Sequence, residues 1–264
     1  MFSDERKMKI LDLLNDSLSI TVSDLAHSFD VSESTIRRDL QDLEVQGYLK
    51  RTHGGAVALE VASFEPTFQE KAVYFPEEKS GIAQAAISLI RPGDTLLLDS
   101  GTTTLQIARQ LPDNDITVIT NSLSIARELS SLKHIHLLVL GGEFRTNTEA
   151  LVGPLTELIL AQLNVDKLFL GANGIDNVRG ITTPNAVEAA TKQAMITSAR
   201  EVILVADRSK LDKVNLYKIC DLSAIDAFIT DSPPPSIYQD LLSTHDVQLI
   251  WPSRDFTTKK AEQP

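Results

Sequence analysis

A single cysteine, Cys220, in a chain of 264 residues excludes an internal disulfide and any cysteine-rich metal site. Histidine is nearly as scarce. The five present are scattered, with no HExxH or paired-ligand spacing, so no structural metal and no cofactor is expected. No apolar run approaches membrane-spanning length, and the opening Met1-Phe2-Ser3-Asp4-Glu5-Arg6 lacks a signal-peptide pattern. These absences lead to the expectation of a cytoplasmic protein without membrane attachment. Basic residues are in deficit too: 25 Lys and Arg face 36 Asp and Glu, for a net charge of −11. What is abundant is apolar surface, 42% of residues, enough for a substantial core and for two domains.

The acidic balance argues on its face against a nucleic-acid partner. Splitting the chain changes little: residues 1–57 carry 7 basic and 10 acidic side chains, and the remainder 18 and 26. The local field at a contact surface matters more than the total. Arg37, Arg38, Lys50, Arg51 and His53 fall close together in the sequence, while Asp12, Asp16 and Asp24 can face elsewhere.

The pattern in these first residues is specific. Ile10, Leu11 and Leu14 mark one face of a helix over about residues 4–15. Thr21-x-x-Asp24 is a capping-box-like start for a second, with Ile20 and Leu25 in the staple positions. A third begins at Ser32, stapled by Val31 and Ile36, and Ile36, Leu40 and Leu43 give it a buried stripe. That stripe leaves Ser34, Thr35, Arg37, Arg38 and Gln41 outward, near the helix start, where helix-turn-helix proteins meet phosphates and base edges. Gly47 stands where the helix should end. Tyr48-Leu49-Lys50-Arg51 and Ala56-Val57-Ala58-Leu59 can pair around Gly54-Gly55 as a basic wing. Ser32, Ser34, Thr35, Arg37, Arg38, Gln41, Lys50, Arg51 and His53 are therefore the candidate contacts to double-stranded DNA. Either arginine can instead pair with Glu33, Asp39 or Asp42.

Ser32-x-x-Thr35-Ile36-Arg37-Arg38-Asp39-Leu40, then Leu43, Gly47 and His53-Gly54-Gly55-Ala56, resembles the DeoR family of bacterial transcriptional regulators. The resemblance implies a winged helix-turn-helix domain over residues 1–57.

Residues 58–78 lose periodicity and hold Pro66 and Pro76, which marks a linker. From 79 to 253 apolar strands alternate with helical stretches. Seven candidate strands cover 95–98, 116–119, 136–140, 167–170, 202–205, 227–229 and 247–250, an order that predicts an α/β fold with a mainly parallel, doubly wound sheet. The polar tail from about Arg254 is expected to be disordered.

In such a sheet, ligands lie beyond the carboxyl ends of the strands. Those ends hold Asp99-Ser100-Gly101-Thr102-Thr103-Thr104, Thr120-Asn121-Ser122, Gly141-Gly142-Glu143-Phe144-Arg145 and Gly171-Ala172-Asn173-Gly174. Glycines, hydroxyls and helix-start amides together can cradle a phosphate, although any one βα turn needs such residues for structure alone. Glu188 and Lys192 lie one helical turn apart, a spacing that equally serves surface ion pairing. Lys210 follows another strand and is a reasonable anion partner.

This half also resembles the DeoR-family sensor domain, through Asp99-Ser100-Gly101-Thr102-Thr103, Thr120-Asn121, Gly141-Gly142-x-x-Arg145, Gly153, Gly171-Ala172-x-Gly174-Ile175, Gly180, Glu188, Lys192 and Asp207-x-Ser209-Lys210. That sensor is similar in fold to ribose-5-phosphate isomerases. The resemblance implies a repressor of a carbohydrate operon, a homodimer or homotetramer, switched by a phosphorylated sugar. Gly180 to Asn185 with Glu188 and Lys192 resembles branches handling hexose or amino-sugar phosphates. The expected effector contacts are Asp99, Ser100, Gly101, Thr102, Thr103, Thr104, Asn121, Gly142, Arg145, Gly171, Asn173, Glu188, Lys192 and Lys210. The alternatives are a sugar-phosphate isomerase or deaminase with a DNA-binding appendage, and an architectural DNA-binding protein without an effector. Gly-Ala-Asn-Gly-Ile-Asp at the fourth strand lacks the acidic cluster expected of such an isomerase, which favours sensing over catalysis.

Overall fold

The computed structural model describes residues 3–17, 19–46, 48–52, 54–58 and 67–252. The chain divides into two compact units, residues 1–64 and 65–264.

In the first unit, α1 (Ser3–Ser17), β1 (Ser19–Thr21), α2 (Val22–Phe29) and α3 (Glu33–Val45) lead to β2 (Leu49–Arg51) and β3 (Gly55–Ala58). The caps form as the sequence dictates. Thr21 accepts from the Asp24 amide at 3.1 Å, and Ser32 accepts from Thr35 at 3.3 Å. Ile36, Leu40 and Leu43 bury one face of α3 against Ile10, Leu14 and Leu25, with Ile20 and Val31 packed alongside. The two wing segments pair as expected, in a register that sets Leu49 opposite Ala58 and Arg51 opposite Ala56. One addition was not foreseen: β1 joins β3, making the wing a three-stranded sheet. Three residues are too few to show a period-two pattern. The helix end expected at Gly47 lies outside the described residues.

The second unit opens with α4 (Phe68–Ala72) and α5 (Pro76–Ile87), so the stretch read as linker contains helical structure. Of that stretch, residues 59–66 lie outside the described residues, as does the tail. There follow β4 (Thr95–Leu98), α6 (Thr102–Gln110), β5 (Ile116–Thr120), α7 (Leu123–Leu129), β6 (Ile135–Val139), β7 (Glu143–Arg145), β8 (Ala150–Val152), α8 (Pro154–Leu160), β9 (Val165–Leu170), β10 (Gly174–Asp176), β11 (Gly180–Thr183), α9 (Ala186–Ser198), β12 (Ala199–Val205), β13 (Tyr217–Cys220), β14 (Ala227–Ile229), α10 (Ser236–Thr244) and β15 (Gln248–Ile250).

The seven expected strands form one sheet, ordered β15-β14-β12-β9-β4-β5-β6, with every pairing parallel. Helices cover both faces, which explains the uninterrupted apolar runs. Leu97, Ile119, Leu168, Leu170 and Leu204 enter one core, while Leu96, Leu98, Val118, Phe169 and Ile203 enter the other. The chain builds outward from β4 through β5 to β6, then returns to the other side of β4 at β9. The reversal opens a crevice between the carboxyl ends of β4 and β9, where this topology places ligands. Two small antiparallel units, β7 with β8 and β10-β11-β13, were not foreseen and flank that end.

Candidate functional site

Asp99 closes β4 at the point of reversal and is 1% exposed. Its Oδ2 accepts from the Gly171 amide of β9 at 2.9 Å and from Lys192 Nζ. Lys192 also donates to the Gly171 carbonyl at 3.2 Å. The approach is close at Gly171, where a Cβ would sit 3.2 Å from Asp99 Oδ2 and the carboxylate would have to give by a few tenths of an ångström. Asp99 Oδ1 is buried without a hydrogen-bond partner, as is Oδ1 of Asn121 at the end of β5. Burial pushes the Asp99 carboxyl above the usual range, against the pull of Lys192.

The spacing of Glu188 and Lys192 offered an ion pair along one helix. Instead, Lys192 pairs across the crevice with Asp99, and Glu188 lies 3.4 Å from Arg145 Nε. Thr148 donates to Glu188 at 2.5 Å and Thr183 at 3.3 Å, and Thr183 reaches Asn173 Oδ1 at 3.5 Å. Burial works to raise the Glu188 carboxyl, but Lys192, Thr148, Arg145 and Lys71 outweigh it and hold it low. Asp99, Gly171, Lys192, Glu188, Arg145 and Asn173 thus form one connected cluster.

The loop Ser100-Gly101 carries the chain from Asp99 into α6, whose start has no side-chain cap. Uncapped first-turn amides and the helix dipole favour an anion there. Thr102, Thr103 and Thr104 line that turn and are buried. The Thr104 hydroxyl is already committed to the Gly101 carbonyl at 2.9 Å. Asn121 Nδ2 is likewise committed, to the Leu151 carbonyl at 3.0 Å. Gly142 serves backbone packing: at φ 153°, its Cβ position would lie 2.2 Å from Thr156 Oγ1. Lys210 stands in a neighbouring group beyond β12, close to Asp207 and Lys79.

In the first unit, Ser34, Arg37, Arg38 and Gln41 are exposed on α3 and Thr35 is half-buried. Ser32, read as a contact, is occupied as the helix cap and bonds the Ser34 and Thr35 hydroxyls at 2.8 and 2.9 Å. Arg37 pairs with Glu33 at 2.7 Å. Arg38 instead lines an open concavity of about 570 Å³, together with Ser3, Arg6, Ser34 and Thr35. Arg51 leans on Glu44, Lys50 lies in β2, and His53 falls outside the described residues. No group of His, Cys, Asp and Glu able to hold a metal occurs among the described residues.

Sequence reading missed Thr148 and Thr183, which share Glu188, and also Lys71 and Lys79. Thr148 is 40 positions from its partner, so no local spacing points to it.

The profile described as the DeoR C terminal sensor domain matches residues 75–232, and that of the DeoR-like helix-turn-helix domain matches residues 6–61. This chain belongs to the DeoR family. It is a DNA-binding transcriptional regulator with a sensor domain, not an enzyme. Relatives extend over nearly its full length. The HTH-type transcriptional regulator GlpR of Haloferax volcanii is 41% identical, covering 88% of this chain and 91% of its own. The HTH-type transcriptional repressor GlcR of Bacillus subtilis is 36% identical over 97% and 98%. A putative aga operon transcriptional repressor of Escherichia coli O157:H7 is 36% identical over 93% of each chain. Ribose 5-phosphate isomerase A from Methanocaldococcus jannaschii overlays 52% of this chain and 54% of its own, with 18% identity and a TM-score of 0.38, a partial likeness that carries no function.

Proposed function

We propose that this DeoR-family regulator represses a carbohydrate catabolic operon and is released from its operator when a phosphorylated sugar binds the β4–β9 crevice. The observation that carries this reading is the gathering of Lys192, Arg145, Asp99 and Glu188 at the sheet's reversal, beside the uncapped start of α6. Cations and amides suit a phosphate, while buried carboxylates with unused oxygen capacity suit sugar hydroxyls. Asp99 Oδ1 and Asn121 Oδ1 would find donors in such a ligand. Relatives named as transcriptional repressors, a lactose phosphotransferase system repressor among them, favour the same class of signal and the same sign of control.

On the DNA side, the exposed Ser34, Arg37, Arg38 and Gln41, with the half-buried Thr35, would enter the major groove, with Lys50, Arg51 and His53 against the backbone. Few cations are available per chain, so a homodimer or homotetramer on a repeated site is the working assembly. In this reading residues 1–57 bind DNA and 79–253 sense the ligand. The test is gel-shift titration of the purified chain on its own upstream region, with and without a panel of sugar phosphates. At least one sugar phosphate should weaken binding by about 10–100-fold. Tight binding that no sugar phosphate alters would overturn the proposal.

A further inference from the structure

Resting on the effector reading above, we propose that α4 and the first turn of α5 are part of the anion site. Lys71 and Lys79 would add two cations, so that a phosphorylated ligand grips the segment leading from the N-terminal unit. Neither lysine belongs to a strand end; the sequence places Lys71 in the linker and Lys79 at the first position after it.

Three observations converge. First, α4 is built and anchored. A capping box ties Thr67 to Glu70, with the Glu70 carboxylate accepting from the Thr67 amide at 2.7 Å. The Phe68 amide donates to the Asn147 carbonyl at 2.7 Å, and the Phe68 ring is buried in the core that holds Ile82 and Leu105. Asn147 adjoins Thr148, the partner of Glu188, and α4 packs on α6, whose start forms the phosphate loop. Second, Lys79 is 3% exposed, and its Nζ donates to the Lys71 carbonyl. No ion pair reaches it among the described residues. A buried ammonium held by one carbonyl is an unsatisfied cation, and burial pushes it down to about 8, against the pull of Asp207. Third, Lys71 is near enough to Glu188 to help hold its carboxyl low.

Five cations then act on four carboxylates in two adjoining groups: Lys71, Lys192 and Arg145 on Glu188 and Lys192 on Asp99, beside Lys79 and Lys210 on Asp207, with Glu78 also facing Lys79. The site is therefore locally positive in a chain whose net charge is −11. A phosphate dianion would satisfy Lys79 and draw Lys71 inward. Both lysines lie on the first described helices of the second unit, so ligand and linker position become coupled.

The experiment is thermal-shift and calorimetric titration of the full chain with inorganic phosphate and with triose and hexose phosphates, for wild type, Lys71→Gln and Lys79→Gln. Glutamine at 79 keeps a donor for the Lys71 carbonyl but removes the charge. Lys71 is half-buried, so its variant stays informative if Lys79→Gln does not fold. We expect each substitution to weaken the phosphate response at least tenfold, and hydrogen exchange across 67–79 to slow when wild type is saturated. Wild-type response with both folded variants unchanged would overturn this inference and leave the effector site standing. A wild type that none of these probes stabilises would remove both.

Discussion

Asp39 shows how one side chain joins two helices. It falls on the buried stripe of α3, three residues after Ile36, and Arg6 of α1 meets it at 2.6 and 3.2 Å. Removing one partner of a buried pair strands the other charge, so Asp39→Ala should cost about 3–5 kcal/mol in urea unfolding. Arg6→Met combined with Asp39→Leu should recover much of that loss. A single variant as stable as wild type would mean the pair adds nothing. Arg37 and Arg38 should separate in the same manner. Arg37 is tied to Glu33, whereas Arg38 acts on Asp42 only at longer range, with no close ion pair among the described residues. Arg38→Ala should therefore lose more operator affinity than Arg37→Ala; equal losses in gel shift would reverse that ranking. At the proposed effector site, Thr102→Ala should blunt the ligand response while leaving basal DNA affinity unchanged. A normal response would reduce the loop to a structural turn.

At the scale of elements, α5 and α9 each make stability rise with pH, in two separate windows. Lys79, on α5, is pushed to about 8 from its ordinary 10.5, with Asp207, Lys210, Lys71 and Glu78 facing it. Between about pH 8 and 10.5 the unfolded chain holds the extra proton, so stability rises with pH across that window. Compared with wild type, Lys79→Met should flatten the rise, by about 3 kcal/mol at most; superimposable pH profiles would refute the assignment. Glu188, on α9, is held below its ordinary 4.5, burial notwithstanding, by Lys192, Thr148 and Arg145. Its stabilisation is present above that value and fades as pH falls through the lowered one. Glu188→Gln should thus lose less stability on acidification than wild type. The connection from β6 to β7 has its own constraint. Gly142→Ala combines positive φ with a Cβ overlapping Thr156 and Val152, so it should destabilise by well over about 1 kcal/mol.

For the whole molecule, the proposed switch must be reciprocal. If ligand lowers operator affinity by some factor, operator lowers ligand affinity by the same factor. Calorimetric titration of sugar phosphate into the free chain and into the DNA complex checks this directly. Identical affinities in the two states would break the link between the units, whatever each binds alone. Variants at Lys71 belong to the same test, since they should change the coupling factor as well as the affinity.

The seven parallel strands, the capped helices and the wing were legible because each rests on local chemistry: apolar runs, hydroxyl caps, staples and Gly-Gly turns. The same is true of the division into an N-terminal DNA-reading module and an α/β sensor, and of the strand-end glycines. Tertiary structure alone decided the partners. Lys192 turned from its neighbour Glu188 to Asp99, 93 positions away, because the β4–β9 reversal brings that carboxylate closer than the next helical turn. Arg6 met Asp39, and Lys79 was buried beyond β12, for the same reason. Backbone hydrogen bonding and helix capping act over a few residues. Charges in a low-dielectric crevice select whichever partner the completed sheet places nearest.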